Sequence, residues 1–231
     1  MNVSVALASY NGEKYIEEQI SSICSQLDNS DELVISDDGS SDNTLDIIKS
    51  LCERYSCIKL INGPQKGIVA NFGNAMQHCK NDIIFLSDQD DIWCPNKVDI
   101  IKSIFSENPK AVVILHNATV LKNGNEEGLL FEGYNKGVIS NLIKSAYWGC
   151  CMAVKREFIH PFLPFNDSVI AHDQLIGLLA EHVNGTIYLP KTLIMHRIHE
   201  TNKTKKLSLN KKLSFRLRVL KDYYKCKKEA R

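Results

Sequence analysis

Three carboxylates crowd the end of one short apolar run, Ile83-Ile84-Phe85-Leu86-Ser87-Asp88-Gln89-Asp90-Asp91-Ile92-Trp93. Its four leading apolar residues read as a buried strand. Carboxylates this close repel one another and raise each other's pKa unless a cation lies among them. A hard divalent ion such as Mg2+ or Mn2+ takes oxygen ligands from one or two carboxylates and completes its shell with substrate phosphates. In open α/β sheets, ligands bind beyond the carboxyl ends of the strands. The run therefore points to a metal-assisted site for a nucleoside diphosphate. The alternative is a solvated acidic loop that caps a strand.

Such a cluster needs a sheet behind it, and the preceding residues supply one. Residues 3–8 are apolar and stop at Ser9-Tyr10-Asn11-Gly12. Tyr15, Ile16, Ile20, Ile23, Cys24 and Leu27 then recur at helical spacing. Residues 33–35 form a second apolar run, ending at Ser36-Asp37-Asp38-Gly39-Ser40-Ser41-Asp42. Ser41 or Asp42 caps a helix bearing Leu45, Ile48, Leu51 and Cys52. Residues 58–61 read as a third strand, and Ile68, Phe72, Ala75, Met76 and Cys79 as a third helix. This β-α-β-α-β-α-β rhythm predicts parallel strands with right-handed crossovers. The clusters at 9–12, 36–42 and 88–91 then share one rim of the sheet. Turn residues alone also account for such clusters.

Beyond Trp93 the pattern loosens. Pro95 marks a helix start, a fifth strand covers 111–115, and residues 122–137 read as a loop suited to a lid or an acceptor site. A strand is predicted over 148–154, a helix over 173–182 and a late strand over 186–189.

With 231 residues, 44% of them hydrophobic and 24% charged, the chain is long enough for one large core. No apolar stretch reaches the roughly 20 residues that span a bilayer, and the N-terminus lacks the features of a signal peptide. Eight cysteines fall at no metal-type or CxxC spacing, which suits a reduced, cytoplasmic protein. The net charge of +1 hides an asymmetry: residues 203–231 hold 12 Lys and Arg against two acids, leaving the preceding part at −9. Leu209, Leu213, Leu217, Leu220 and Tyr224 lie on one stripe of that basic tail. A cationic amphipathic helix of this kind lies on an anionic membrane surface; packing on the domain or dimerisation would also use the stripe. The acidic body argues against nucleic acid as a partner.

Taken in order, the stretches Ala8-Ser9-Tyr10-Asn11-Gly12, 36–42, 87–93, Ala171-His172-Asp173-Gln174 and His196-Arg197-Ile198-His199-Glu200-Thr201-Asn202 resemble the inverting glycosyltransferases commonly called family 2. The resemblance spans residues 2–202. It implies a GT-A fold: α/β, Rossmann-like, with a mostly parallel central sheet flanked by helices. Here that domain covers 1–202, followed by the helical tail over 203–231. It also implies nucleotide contacts at Ala8, Tyr10, Asn11, Asp38 and Asp88. Asp38 would accept a hydrogen bond from the imide N–H of uracil or thymine. Asp90 and His199 would hold Mn2+ or Mg2+. Asp173 would be the base that deprotonates the acceptor hydroxyl, and it also reads as a helix cap. Asp91, His172 and Arg197 would contact diphosphate or acceptor; Asp91 reads more readily as a cap for the helix near Pro95. Many members carry tryptophan or glutamate where this chain has His172.

The activity so implied is metal-dependent inverting transfer of a sugar from a UDP- or dTDP-linked donor to a hydroxyl of a growing surface glycan. The acceptor would be a lipid-linked O-antigen or capsule intermediate, with the enzyme peripheral on the inner face of the cytoplasmic membrane. A non-catalytic nucleotide-sugar-binding subunit would dispense with the base. A sugar-phosphate nucleotidyltransferase would want a Gly-rich, basic loop after the first strand, which Ser9–12 does not provide.

Overall fold

A computed structural model describes residues 1–199 and 208–229 of the protein, the side chains of Leu209 and Glu229 excepted. The chain begins as β1 (Val3–Ser9), α1 (Ile16–Cys24), β2 (Glu32–Asp37), α2 (Thr44–Arg54), β3 (Ile58–Asn62), α3 (Ile68–Gln77) and β4 (Ile83–Ser87). This is the expected alternation. β1 pairs in parallel with β2 and β4, and β2 with β3. β1 and β4 are buried at every position, as continuous apolar runs in a covered parallel sheet must be.

The second half departs further from its sequence pattern. It comprises β5 (Ile92–Trp93), α4 (Lys97–Glu107), β6 (Val113–Lys122), β7 (Asn125–Leu129), α5 (Val138–Ile143), β8 (Met152–Lys155), α6 (Arg156–Ile159), α7 (His172–His182), β9 (Thr186–Ile198) and α8 (Leu209–Glu229). The sheet order is β3-β2-β1-β4-β8-β6-β9-β5, with β7 on β6. Among the described residues, six of the nine strands run one way; β5, β7 and β8 oppose them.

Several expected boundaries move, each for a physical reason. The fifth strand does not stop at Leu115. It continues through the polar His116, Asn117 and Thr119 to Lys122, because β9 pairs with it along that whole length. β9 in turn runs well past Leu189. Pro190 offers no N–H to the ladder, and the register jumps there from His116–Leu189 to Asn117–Thr192. The start of the expected 122–137 loop is a hairpin. Asn123 and Gly124 both have positive φ (51° and 81°), the Asn-Gly turn that joins twisted antiparallel strands. β7 is exposed at all five positions, so no apolar alternation marks it. The strand expected from Trp148 begins only at Met152, after a single 3-10 turn over Gly149–Cys151. α4 begins two residues after Pro95, with Asn96 at φ 64° before it.

α8 packs against α7 and the segment before it, with Val219, Asp222 and Tyr223 each under 10% exposed and Asp222 Oδ1 accepting from Ser168 Oγ (3.4 Å). The Tyr223 and His182 rings lie 6.2 Å apart. The boundary expected between 202 and 203 lies outside the described residues. No described helix is long and apolar enough to cross a membrane.

Candidate active site

Because β1, β2 and β4 are parallel neighbours, their ends at Ser9, Asp37 and Ser87 bring three loops to one rim. Asp37 organises the second loop. Its Oδ1 accepts the N–H groups of Gly39 (3.1 Å) and Ser40 (2.8 Å), and its Oδ2 accepts the hydroxyls of Ser9 (2.8 Å) and Ser40 (2.7 Å). Asn11 laces the first loop to the second: its N–H donates to Ser40 Oγ (2.9 Å) and its Oδ1 accepts from Ser41 N–H (2.8 Å). That geometry holds Asn11 at φ 48°, a conformation asparagine tolerates. Ala8 lies buried one residue before the strand end. Tyr10, on the rim, is 48% exposed, which removes it from the core. Asp38 receives Gln65 N–H on Oδ1 (2.6 Å) and Gly67 N–H on Oδ2 (2.8 Å), so its carboxylate is fixed against the loop that precedes α3.

The acidic loop is held from two sides. Gln89 mimics a strand partner: its Oε1 accepts Tyr10 N–H (2.8 Å) and its Nε2 donates to Tyr10 O (3.0 Å). Gln19 of α1 donates to Ser87 Oγ (2.7 Å) and Asp88 O (3.0 Å). From the other side comes the end of β9. Asp91 is fully buried, and its Oδ1 accepts from His196 Nδ1 (2.9 Å) and Arg197 N–H (3.1 Å). Asp91 therefore caps no helix at Pro95; it ties the loop to β9. Arg197 donates to Asp90 O (3.0 Å) and Glu18 (2.7 Å), and its guanidinium sits 4.7 Å from the Tyr15 ring. His199 Nε2 lies 2.8 Å from Asp90 Oδ2, with its ring 4.8 Å from that of Tyr15. Glu200, Thr201 and Asn202 of the expected motif lie outside the described residues.

Asp173 stands in the first turn of α7, where its Oδ1 accepts Gln174 N–H (2.8 Å). The flanking cap position is Ala171, so Asp173 is not the helix cap. His172 is turned inward instead. It is buried, stacked on Phe72 with ring centroids 4.4 Å apart, and its Nε2 has no hydrogen-bond partner among the described residues. Burial holds its imidazole below the usual value.

The electrostatics bind these groups into one site. Burial, then Asp91 and Asp90, push the Asp88 carboxyl up from 3.8 to about 8, and Asp173 adds to the same push. Asp90 is also raised, by burial and Asp91, against the opposing hydrogen bond from His199. For His196, burial acts downward, but the hydrogen bonds to Asp91 and Cys150 prevail and carry it to about 12. The buried Oδ2 of Asp91 has no hydrogen-bond partner among the described residues. Carboxylates that resist their charge, beside an orphaned carboxylate oxygen, are a donor set that fits a divalent cation. Ligand-type atoms of Asp91, Cys150 and His196 also lie within 4.8 Å of one another.

A raised carboxyl binds a proton in the folded state that the unfolded chain has released. The stability contribution of Asp88 is thus complete below pH 3.8 and drains away as pH rises toward about 8. Metal-free Asp88→Asn is therefore expected to melt above the wild type, with the gap widening from pH 5 to pH 8. Thermal melts in chelator check this; a gap independent of pH would refute it.

Gln19, Gln89 and Lys97 escaped the sequence reading. Lys97 is fully buried beneath the loop, donates to Cys150 O (3.2 Å) and lies 3.9 Å from the Trp93 ring, and burial lowers it to about 8. No local pattern marks these roles, because each of these hydrogen-bond partners is more than 50 residues away in the chain. Gln89 lay in view, inside the acidic run.

The profile of the family described as "Glycosyl transferase family 2" matches residues 4–161. The chain is 29% identical over 211 residues to the dTDP-rhamnosyl transferase RfbG of Shigella flexneri, covering 85% of this chain and 72% of that protein. It is 33% identical over 166 residues to the UDP-Glc:alpha-D-GlcNAc-diphosphoundecaprenol beta-1,3-glucosyltransferase WfgD of Escherichia coli, covering 71% of this chain but 64% of that one. The fold is similar to that of S. aureus TarS 1-349, solved in complex with UDP-GlcNAc, with a TM-score of 0.74 at 18% identity, over 96% of this chain and 66% of that one.

Proposed function

Because the chain belongs to glycosyl transferase family 2 and has its GT-A fold, we propose that it moves a sugar from a UDP- or dTDP-linked donor, with inversion, to a hydroxyl of a lipid-linked surface glycan. The observation that carries this is the closure of the acidic loop after β4 by the end of β9, with His199 Nε2 2.8 Å from Asp90 Oδ2 and His196 Nδ1 2.9 Å from Asp91 Oδ1, at the rim shared with the loops after β1 and β2. The names of the two relatives support the donor bases, and that of WfgD the lipid-linked acceptor.

Asp173 takes the proton of the acceptor hydroxyl as its oxygen attacks the anomeric carbon and the bond to the diphosphate breaks on the opposite face. Asp38 accepts the imide N–H of the base, and Tyr10 flanks it. Ala8 and Asn11 shape the loop around it, and Asp88 faces the ribose side. Asp90 and His199 would hold Mn2+ or Mg2+, which when bound neutralises charge on the departing nucleoside diphosphate. Arg197, through the Asp90 carbonyl, and Asp91, through His196 and the Arg197 N–H, hold the acidic loop to β9 and so keep Asp90 beside His199, and the acceptor approaches past Asp173. The lipid-linked acceptor places the enzyme on the inner face of an anionic membrane.

Calorimetric titration with UDP, dTDP, GDP and CDP, each with and without Mn2+, tests the reading. UDP or dTDP should bind in a metal-dependent way, and CDP at least about tenfold more weakly, since cytosine lacks the imide donor. Equal binding of CDP would remove Asp38 from base recognition. No binding of any of the four would overturn the site.

A further inference from the structure

We propose that α5 and α8 together form one face that docks on an anionic lipid surface. Of the apolar stripe of the tail, Leu220, at the edge nearest the buried side of α8, is partly buried against the core, and the rest points away from the domain. At about 100° per residue, Leu213, Leu217, Leu220 and Tyr224 fall within about 60° of arc. The residues α8 buries against the domain, Val219, Asp222 and Tyr223, centre about 140° away. The stripe accordingly points outward, with Leu213 and Leu217 each 59% exposed and Tyr224 53% exposed.

α5 extends that stripe from outside the tail. Ile139 and Ile143 are 75% and 62% exposed, and the Arg216 guanidinium donates to the Ile143 carbonyl, which sets α5 beside α8. Large apolar residues exposed together on two neighbouring helices mark an interaction surface. Its charges select the partner. Lys221 and Lys228 lie about 50–70° to one side of the stripe, and Arg216 and Lys227 equally far to the other. An apolar ridge between two cationic rails is the arrangement of helices that lie in an anionic membrane interface. A second copy would set cation against cation, and a nucleic acid would leave the ridge wet. The inference rests on the proposed function only for its purpose, since docking is read without donor or acceptor.

The test is sedimentation of the full chain with phosphatidylcholine vesicles, with and without one quarter phosphatidylglycerol. The protein should sediment with the anionic vesicles and stay free of the neutral ones. Ile139→Asp with Ile143→Asp, and separately Leu213→Asp with Leu217→Asp, should each lower partitioning at least about tenfold. Circular dichroism should show both folded, with nucleotide binding unchanged. Wild-type partitioning of the α5 variant would refute the shared face. Loss of a dimer in either variant, or equal binding to DNA, would assign the surface to a different partner. If nucleotides fail to bind while vesicle binding holds, the functional reading falls and the docking face stands.

Discussion

Replacing Asp173 by asparagine is expected to lower turnover by about 10²–10⁴-fold, the range a positioned base contributes, while the Kd for the donor nucleotide stays within about twofold. The substitution separates two uses of one side chain. As a structural group, Asp173 accepts Gln174 N–H in the first turn of α7. An asparagine carbonyl accepts the same bond, so the helix start survives. As a base, the carboxylate receives a proton, which an amide does not. Asp173 is set on a helix rather than on a loop, beside the buried ring stack of His172 and Phe72, so its backbone has little freedom to compensate. In the proposed function, donor binding draws on the rim loops of β1, β2 and β4, none of which hydrogen-bonds to Asp173. Single-turnover transfer and nucleotide calorimetry on one preparation check both halves. Retained turnover would exclude Asp173 as the base, and lost nucleotide binding would make it a donor residue.

The rim was legible because its strands are buried on both faces. β1 and β4 read as unbroken apolar runs, and the polar residues that end them are the ones that form the loops. The second half was less legible because its strands are held by pairing rather than by composition. β6 carries His116 and Asn117 in its centre and persists because β9 lies along it. β7 has no buried residue at all, yet Asn123-Gly124 is a hairpin signal that the charged surroundings obscured.

The same divide runs through the site. The family resemblance named Asp38, Asp88, Asp90, Asp173 and His199 as a set. It did not say which way the residues beside them face. His172, expected near the acceptor, is stacked inside on Phe72, and Asp91, expected near diphosphate or at a helix cap, is a buried tie to β9. Both follow from burial: an aromatic ring beside a core phenylalanine gains more from stacking than from solvent, and a buried carboxylate takes whatever N–H donors face it. The outward stripe of α8 has the same origin. Helical periodicity finds an apolar face, and only the packed partner, here Val219 and Tyr223 on the other side, says whether that face is covered.

Asp90→Ala should remove Mn2+-dependent nucleotide binding, weakening affinity in Mn2+ by at least about 100-fold to the level measured in chelator. The argument turns on what Asp90 does without the ion. Its carboxyl is raised by burial and by Asp91, so its charge is a liability when no cation is bound. His199 Nε2, 2.8 Å from Oδ2, compensates in part. A group whose charge is disfavoured until a cation arrives contributes to binding and subtracts from metal-free stability. The substitution therefore carries two effects of opposite sign: lower affinity with Mn2+, and a melting temperature in chelator at pH 8 no lower than that of the wild type. Ordinary structural damage lowers both. The backbone carbonyl of Asp90, which Arg197 holds at 3.0 Å, survives the change, so the tie to β9 is not cut. Calorimetry with and without Mn2+, and melts in chelator, check the pair. Unchanged metal dependence would move the ion to other ligands, of which Asp91, Cys150 and His196 are the cluster within reach.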